Sequence, residues 1–550
     1  MEDERLGWRV VLTSDRATMT DYNDAPSLGF GHCVPYRLVP RPIYTRLLAP
    51  PMEVDEEGRA VFAPYPLRKL EAALLNSEFS EDDVIITTPE ALGSVVSEDT
   101  EVLGVSVLDP MGLSPVSYTL RILFGGGDSY TKVEFLSLMS LVKRLKAKYG
   151  FTVVAGGEGV WQIEGLEERL GIDTLFYGEG EKTFPELVRD ILSGSKPPRR
   201  VHGESPDVDE IAPIVAPARG RIVQVTRGCP RRCKFCSPTT WRFRSMPLDL
   251  IRREVEVNLR YGGGSVDFVS DDVLLYGARG IRVNRDAVLS LFRIAREHGV
   301  YGTFPHVCPS TVLQDEKLVE EVTELSGFSE HRPVFIDAGL ESGSPRIIAK
   351  YMRGKPAPWK PEDWPRIILE ATEVMNDNYW YPCYTMIVGF PDETPDDIVK
   401  TMELVDELRS MDAKAWLFPL LMIPMGGTGV ESESFPSVAD LREEVWELYR
   451  VCWLHSLRFS EYIADRLFST IRNPFLRRLS LRLVDSVLNF LKEYFDKLAR
   501  DPEAVMISMS SVNVNSARWM TKLMFNLSKD ILLSYMKSDT NVQLSLRGYE

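Results

Sequence analysis

The chain reads as an α/β protein. A Rossmann-like, doubly wound domain comes first, a partial (β/α)6 barrel second, and a helical C-terminal region last. Three observations predict this. Short apolar runs alternate with helix-patterned segments in two separate series. A polar, proline-bearing connector divides the series, and the strand pattern stops after Pro436. Strands that alternate with helices imply parallel sheets, because each crossover helix returns the chain to the same end of the sheet.

The first series occupies residues 1–195. Its strands are WRVVLTS, DVIITT, EVLGVSV, FTVVAGG and DTLFYG, with a helix expected from Lys132 to Lys148. Gly, Asp and Ser gather where the strands end, which is where open α/β sheets bind ligands. The connector SGSKPPRRVHGESPDVDEIAP (193–213) leads the reading of residues 196–216 as a linker. The second series occupies residues 217–436, with strands RIVQVT, SVDFVS, YGTFPHV, VFIDAGL, WYPCYTMIVGF and AWLFPL. In a barrel of this kind, chemistry sits at the C-terminal ends of the strands. Residues 437–550 form the helical region. Its stretch from Val451 to Arg500 carries nine Lys/Arg against five Asp/Glu.

Composition bounds the function. The 550 residues are 44% apolar, enough for about two to four folded domains. A net charge of −16 argues against a protein that grips nucleic-acid backbone, so no nucleic-acid partner is expected. The opening MEDERLG lacks a secretory pattern, and no apolar run reaches the ~18 residues of a membrane span. The cytoplasm is the expected location. Seven cysteines, three of them within eight residues, point to a metal site in a reducing compartment rather than to a disulfide framework.

Those three are Cys229, Cys233 and Cys236, in TRGCPRRCKFCSPTTWRFR. Thiolates bind iron well, and four commonly complete a 4Fe–4S cluster. Here the next cysteine is Cys308, so one metal position would stay open to an outside ligand. The plain alternatives are a zinc knuckle or three unrelated loop cysteines. Zinc favours four ligands in paired C-x2-C units, and this triplet follows a strand.

The triplet, with Phe235 before its last cysteine, is similar to the signature of the radical S-adenosylmethionine (SAM) superfamily. Later segments resemble that superfamily in the same order: VDFVSDDVLLYG, GLESGSPRII followed by KYMRGK, and MIVGFPDET. The resemblance implies a 4Fe–4S cluster on the three cysteines, with SAM on its open iron. It implies SAM contacts from Phe235, Glu341, Ser342 and Gly389, and a cavity-facing role for Asp271 or Asp272. Read singly, Asp271–Asp272 is a solvated turn and GFPDET a helix cap with Thr394 as N-cap. His306 and Cys308, at the end of the third barrel strand, are candidate proton or hydrogen donors to substrate. Buried strand residues are the plainer reading of both.

The segments LGVSVLDPMGLSPVS, VVAGGEGVWQI and DTLFYGEGEKTFPEL resemble the cobalamin-binding domain that precedes many radical SAM barrels. By that resemblance Asp109, Ser114, Gly156 and Gly157 line a cobalamin crevice. The chain departs from the pattern in one respect. It has no D-x-H-x-x-G, so cobalt would lack the usual histidine. The basic amphipathic helices of the tail, such as NPFLRRLSLRLVDSVLNFLKEYF, cap the barrel mouth or touch a membrane surface or lipid substrate. The expected function is C–C bond formation at an unactivated carbon. It takes the form of ring formation on an isoprenoid lipid, as in the archaeal tetraether-lipid ring synthases that the layout resembles, or of cobalamin-dependent methylation. The expected partners are a hydrophobic, lipid-like substrate and a one-electron reductant such as ferredoxin or flavodoxin. The competing readings are an RNA methylthiotransferase and a non-catalytic iron–sulfur or corrin carrier.

Overall fold

The computed structural model describes residues 7–22, 26–469 and 474–514. The N-terminal sheet has six parallel strands: β1 (Val10–Ser14), β2 (Val84–Ile86), β3 (Val102–Ser106), β4 (Thr152–Gly156), β5 (Thr174–Tyr177) and β6 (Arg200–His202), in the order β2-β1-β3-β4-β5-β6. Alternate residues feed two cores, one on each face. Val11, Leu103, Val105 and Val153 enter one core; Val10, Leu12, Val102 and Val154 enter the other. A sheet covered on both faces needs near-continuous apolar strands, and the sequence supplies them. The helix expected from Lys132 runs Tyr130–Tyr149, capped by the Ser129 side chain and ended by Gly150 at φ 84°. The stretch read as a linker holds a strand. β6 pairs with β5 as an exposed edge, and its Arg-Val-His sequence carries no apolar run to announce it.

The second unit contains β7 (Ile222–Gln224), β8 (Thr226–Arg227), β9 (Arg244–Ser245), β10 (Ser265–Val269), β11 (Tyr301–Thr303), β12 (Val334–Glu341), β13 (Trp380–Val388) and β14 (Trp416–Leu421). Two parallel three-stranded sheets, β11-β10-β7 and β12-β13-β14, are joined by one bridge between His306 and Asp337. Together they make a six-stranded open barrel in chain order. The short antiparallel pair β8–β9 stands apart and clasps the base of the cysteine loop.

The tail completes this barrel. Helix Glu443–Ser469 lies along β14, the last strand, whose outer edge would otherwise be unpaired. Ser456 Oγ accepts from Leu417 N–H at 2.8 Å and donates to Leu417 C=O at 3.0 Å. Further along the same edge, Leu421 N–H donates to Thr119 Oγ1 of the N-terminal unit at 2.9 Å. Phe495 and Leu498 of the helix Pro474–Arg500 are buried in the barrel's core cluster. Among the described residues, no helix is long and apolar enough to cross a membrane.

Candidate cluster and cofactor site

The cysteine loop is held by its own backbone. Cys229 N–H donates to Pro238 C=O at 3.1 Å, and Lys234 N–H donates to Tyr351 C=O at 2.8 Å. Thr239 Oγ1 reaches the carbonyls of Cys233 (3.0 Å) and Cys236 (2.7 Å). Gly228 turns the chain at φ 77°, where a Cβ would meet Trp241 C=O at 2.7 Å. All three thiols are free; Cys233 is buried, and Cys229 and Cys236 are partly exposed. Burial pushes the thiols up, Cys229 to about 12 and Cys233 to about 11, and charge on any one of them opposes charge on its neighbours. Among the described residues, no three Cys, His, Asp or Glu side chains converge on one ion position. A 4Fe–4S cluster, whose cysteines each bind a different iron, asks for a wider spread than one ion does. Three free thiols on one loop are the donor set such a cluster takes, and the buried Nε of Arg231, in the same loop, has no hydrogen-bond partner.

Beneath the loop lie two buried ion pairs. Arg231 sits between Cys229 and Cys233 in sequence. It donates to Lys355 C=O at 2.8 Å and pairs with Asp272 at 3.2 Å. Thr311 Oγ1 also donates to Asp272, at 3.0 Å. Lys355 pairs with Glu341. Gly354 is required here, because a Cβ would strike the backbone of Arg231. Asp272 is thus a buried partner of Arg231, whereas Asp271 is exposed toward the space above the loop, with burial of its surroundings raising its pKa. The sequence could not separate the two.

The other expected SAM contacts cluster nearby. Glu341 adopts φ 63° at an irregularity of β12, a conformation uncommon for a residue with a side chain. Ser342 is buried, accepts from Ser344 N–H at 3.1 Å and lies 3.4 Å from Thr401 Oγ1. Gly389, at φ 86°, donates its N–H to Glu393 at 2.7 Å, and burial raises the Glu393 carboxyl to about 7. Phe235 meets Phe390 edge-on at 6.1 Å. His306 faces the barrel lumen, 3.7 Å from Asp337. Cys308 is buried, with Ser310 Oγ 3.4 Å from its sulfur.

Between the C-terminal ends of β3, β4 and β5 and the residues that flank the cysteine loop lies a cavity of ≈850 Å³. Ser106, Gly156, Gly157 and Tyr177 line one wall; Gln224, Arg227, Ser237 and Trp241 line the other. Gly157, at φ 121°, lets the loop after β4 pass Val107, whose carbonyl a Cβ would meet at 2.5 Å. Trp161 stacks on Phe435 at 6.5 Å to close one end. Asp109 and Ser114 are not among the lining residues. Asp109 holds its own loop instead, accepting from Ser114 N–H at 2.9 Å, Gln162 Nε2 at 3.0 Å and the Ser117 hydroxyl. No His, Cys or Met lines the cavity among the described residues.

The same cavity carries the joint between the two units. Arg227 pairs with Glu179 and Glu181, and Arg244 shares Glu179. Burial opposes the charge on Glu181, but Arg227 outweighs it and holds that carboxyl below its usual value. A second joint runs from Lys69 to Glu254 at 2.9 Å, with the Tyr65 hydroxyl on the same carboxylate at 2.8 Å. Sequence reading missed Glu158, Arg227 and Glu179. The only signal was their position just beyond strand ends, in GGEG, VTRG and YGEG.

Comparison with known proteins fits this arrangement. The chain is 25% identical over 290 residues to the tRNA-2-methylthio-N(6)-dimethylallyladenosine synthase of Syntrophomonas wolfei, covering 50% of this chain and 61% of that one. It is 27% identical over 268 residues to an uncharacterized methyltransferase of Pyrococcus horikoshii, covering 43% and 53%. It is 26% identical over 249 residues to the ribosomal protein uS12 methylthiotransferase RimO of Thermotoga maritima, covering 42% and 55%. The chain thus spans between half and two thirds of each relative. Among solved structures, the radical SAM methyltransferase TsrM of Kitasatospora setae shares the fold. With tryptophan substrate and a SAM analogue bound, it aligns at TM-score 0.51 and 18% identity over 77% of this chain and 75% of that one. With cobalamin and a [4Fe-4S] cluster bound, it aligns at TM-score 0.51 and 16% identity over 77% and 74%. The radical SAM superfamily model matches residues 223–405, which run from β7 through the cysteine loop and past β13. Those residues therefore carry a radical SAM domain.

Proposed function

We propose that this chain is a corrinoid-dependent radical SAM methyltransferase that forms a carbon–carbon bond at an unactivated carbon. One observation carries the reading: the ≈850 Å³ cavity is walled on one side by the N-terminal sheet and on the other by Gln224, Arg227, Ser237, Thr240 and Trp241, which flank the cysteine loop. A corrinoid placed there would share one space with the radical-forming site. The TsrM neighbour was solved with cobalamin and a [4Fe-4S] cluster in a chain of similar fold, which supports this choice.

When bound, the cluster supplies an electron that cleaves SAM to a 5′-deoxyadenosyl radical, and the corrinoid supplies a methyl group. The protein's residues do the placing. Cys229, Cys233 and Cys236 hold the cluster. Glu341, Ser342 and Gly389 form the SAM shelf at the ends of β12 and β13. Gly156 and Gly157 let backbone approach the corrin. No His, Cys or Met lines the cavity among the described residues, so a corrinoid held there would be placed by the shape of the cavity and by its backbone and polar side chains. Asp267, His306, Asp337 and Cys383 lie on neighbouring strands or just beyond them, with His306 bridging to Asp337 and Asp337 in register with Cys383. That polar lumen favours a substrate with hydrogen-bonding groups over the long apolar chain that isoprenoid ring formation would pass through it.

The test is anaerobic reconstitution with iron, sulfide and hydroxocobalamin. A 1:1 corrin absorbance after gel filtration is expected, with 5′-deoxyadenosine formed from SAM on reduction. Retention of the cluster without any corrin would sink the corrinoid half. The methylthiotransferase reading has named relatives in its favour. Only one cysteine, Cys33, lies in residues 1–195, and the superfamily's methylthiotransferases place three cluster cysteines in that region. Sulfur transferred along with the methyl group would decide for them.

A further inference from the structure

The lumen of the barrel pairs a carboxylate with aromatic surface. On β12, Phe335, Asp337 and Gly339 share the lumen face, because their neighbours Ile336, Ala338 and Leu340 are buried in the core cluster. The register carries this face across the sheet. Asp337 pairs with Cys383, and Cys383 with Trp416, so three side chains form one row over β12, β13 and β14. Phe335, one step below Asp337 on the same face, meets Trp416 at 5.2 Å. Phe418, one step above Trp416, meets Trp453 of the tail helix at 5.6 Å. The row is not sealed: Phe335 is 43% exposed, and the Asp337 side chain is 40% exposed. Open space therefore stands over it.

The charge in that space is unbalanced. Asp337 pairs with no Lys or Arg among the described residues; its ionic neighbour is the His306 ring at 3.7 Å, beyond hydrogen-bond reach. His306 Nδ1 is itself buried without a hydrogen-bond partner. Asp267 on β10 adds a second carboxylate, on which Thr303 Oγ1 donates at 3.0 Å. By contrast, Asp272, Glu341 and Glu254 each have an Arg or Lys of their own. A carboxylate beside aromatic rings, with no fixed cation, suits an organic cation: the rings attract it and the carboxylate takes its hydrogen bonds.

We infer that the substrate carries an ammonium or guanidinium group, which docks on Asp337 beside Trp416 and Phe335. This names the substrate class of the site proposed above and rests on that reading for where the reaction occurs. Four residues of strand, about 13 Å, separate Asp337 from Glu341 of the SAM shelf. The cationic end therefore enters first, and the reacting carbon lies several bonds away from it.

The test is titration of small probes into the full chain reconstituted with iron, sulfide and hydroxocobalamin, read by calorimetry and saturation-transfer NMR. Phenethylammonium and phenethylguanidinium should bind at least about tenfold more tightly than phenethyl alcohol, and phenylacetate should bind most weakly. Asp337→Asn should lower affinity for the two cations about tenfold and leave phenethyl alcohol unchanged. Trp416→Leu should weaken the cations as well. Failure of both cations to bind, equal binding of charged and neutral probes, or wild-type cation affinity in Asp337→Asn would overturn the inference. Should Asp337→Asn fail to fold, the order of the probes on the wild-type chain decides alone. A chain that prefers the cations yet retains no corrin would instead overturn the methyltransferase reading and leave the substrate class standing.

Discussion

Two sets of parallel strands point their C-terminal ends at the same space, and they furnish it differently. The N-terminal sheet offers shape. Its loops after β3, β4 and β5 present glycines, backbone, Leu108 and the carboxylates Glu158, Glu179 and Glu181 to the cavity, and Asp109 is spent on holding a loop. The barrel offers donors. Its first loop carries three thiols, and buried charges crowd beneath them. The difference suits the proposed division of labour: a large flat ligand is bound by complementary surface, whereas a cluster is bound by ligands at fixed points.

The comparison is broken most severely at the donor end. Cys236→Ala should abolish both the iron and acid-labile sulfide bound on reconstitution and the 5′-deoxyadenosine formed from SAM. Corrin uptake, set by the other wall, should persist, and corrin absorbance measured on the same sample would show it. Next comes the joint. Arg227→Met leaves Glu181 buried without its cation, while Glu179 keeps only Arg244. Removing one partner of a buried pair costs roughly 3–5 kcal/mol. The thermal unfolding midpoint should fall by several degrees or more, and both cofactor sites should weaken together because Arg227 lies two residues from Cys229 and lines the cavity.

Much of the fold was legible because parallel strands buried on both faces are apolar throughout. Each long strand of both units announced itself in this way. β6 and β9 did not. The first is Arg-Val-His on an exposed edge, and the second is Arg-Ser, paired only because the cysteine loop must close. The cysteine triplet was legible because its ligands are close in sequence. Its electrostatic surroundings were not. Arg231 and Asp272 are 41 residues apart, and Arg227 and Glu179 are 48 apart, so only the folded barrel brings them together. Asp271 and Asp272 are adjacent and chemically identical in sequence; Arg231 and Thr311 give them different roles. Residues 470–473 and 515–550 of the tail lie outside the described residues. The described part covers the free edge of β14.

The shape end should tolerate lost hydrogen bonds but not introduced charge. Leu108 lines the cavity and is 52% exposed, so its replacement strains nothing in the core. Leu108→Lys places an ammonium against an apolar ligand face. Corrin affinity should fall about tenfold, equivalent to ~1.4 kcal/mol, with cluster content unchanged. Equilibrium titration of hydroxocobalamin by absorbance would measure it, and unaltered affinity would move the corrin away from this wall.

The smallest effect is expected at Asp109, and it separates holding a loop from holding a cofactor. Its Oδ1 accepts from Ser114 N–H and Gln162, and its other oxygen accepts from the Ser117 and Thr131 hydroxyls. Asp109→Asn keeps an acceptor for the first pair. Its amide can donate to the hydroxyls of the second, which rotate to accept. Stability should therefore drop by about 1 kcal/mol or less, and corrin affinity should stay at wild type. Asp109→Ala, which leaves Ser114 N–H and Gln162 without their acceptor, should cost about 1–3 kcal/mol. If the carboxylate instead touched the corrin amides, Asn would lower affinity as much as Ala, and the two binding curves would coincide.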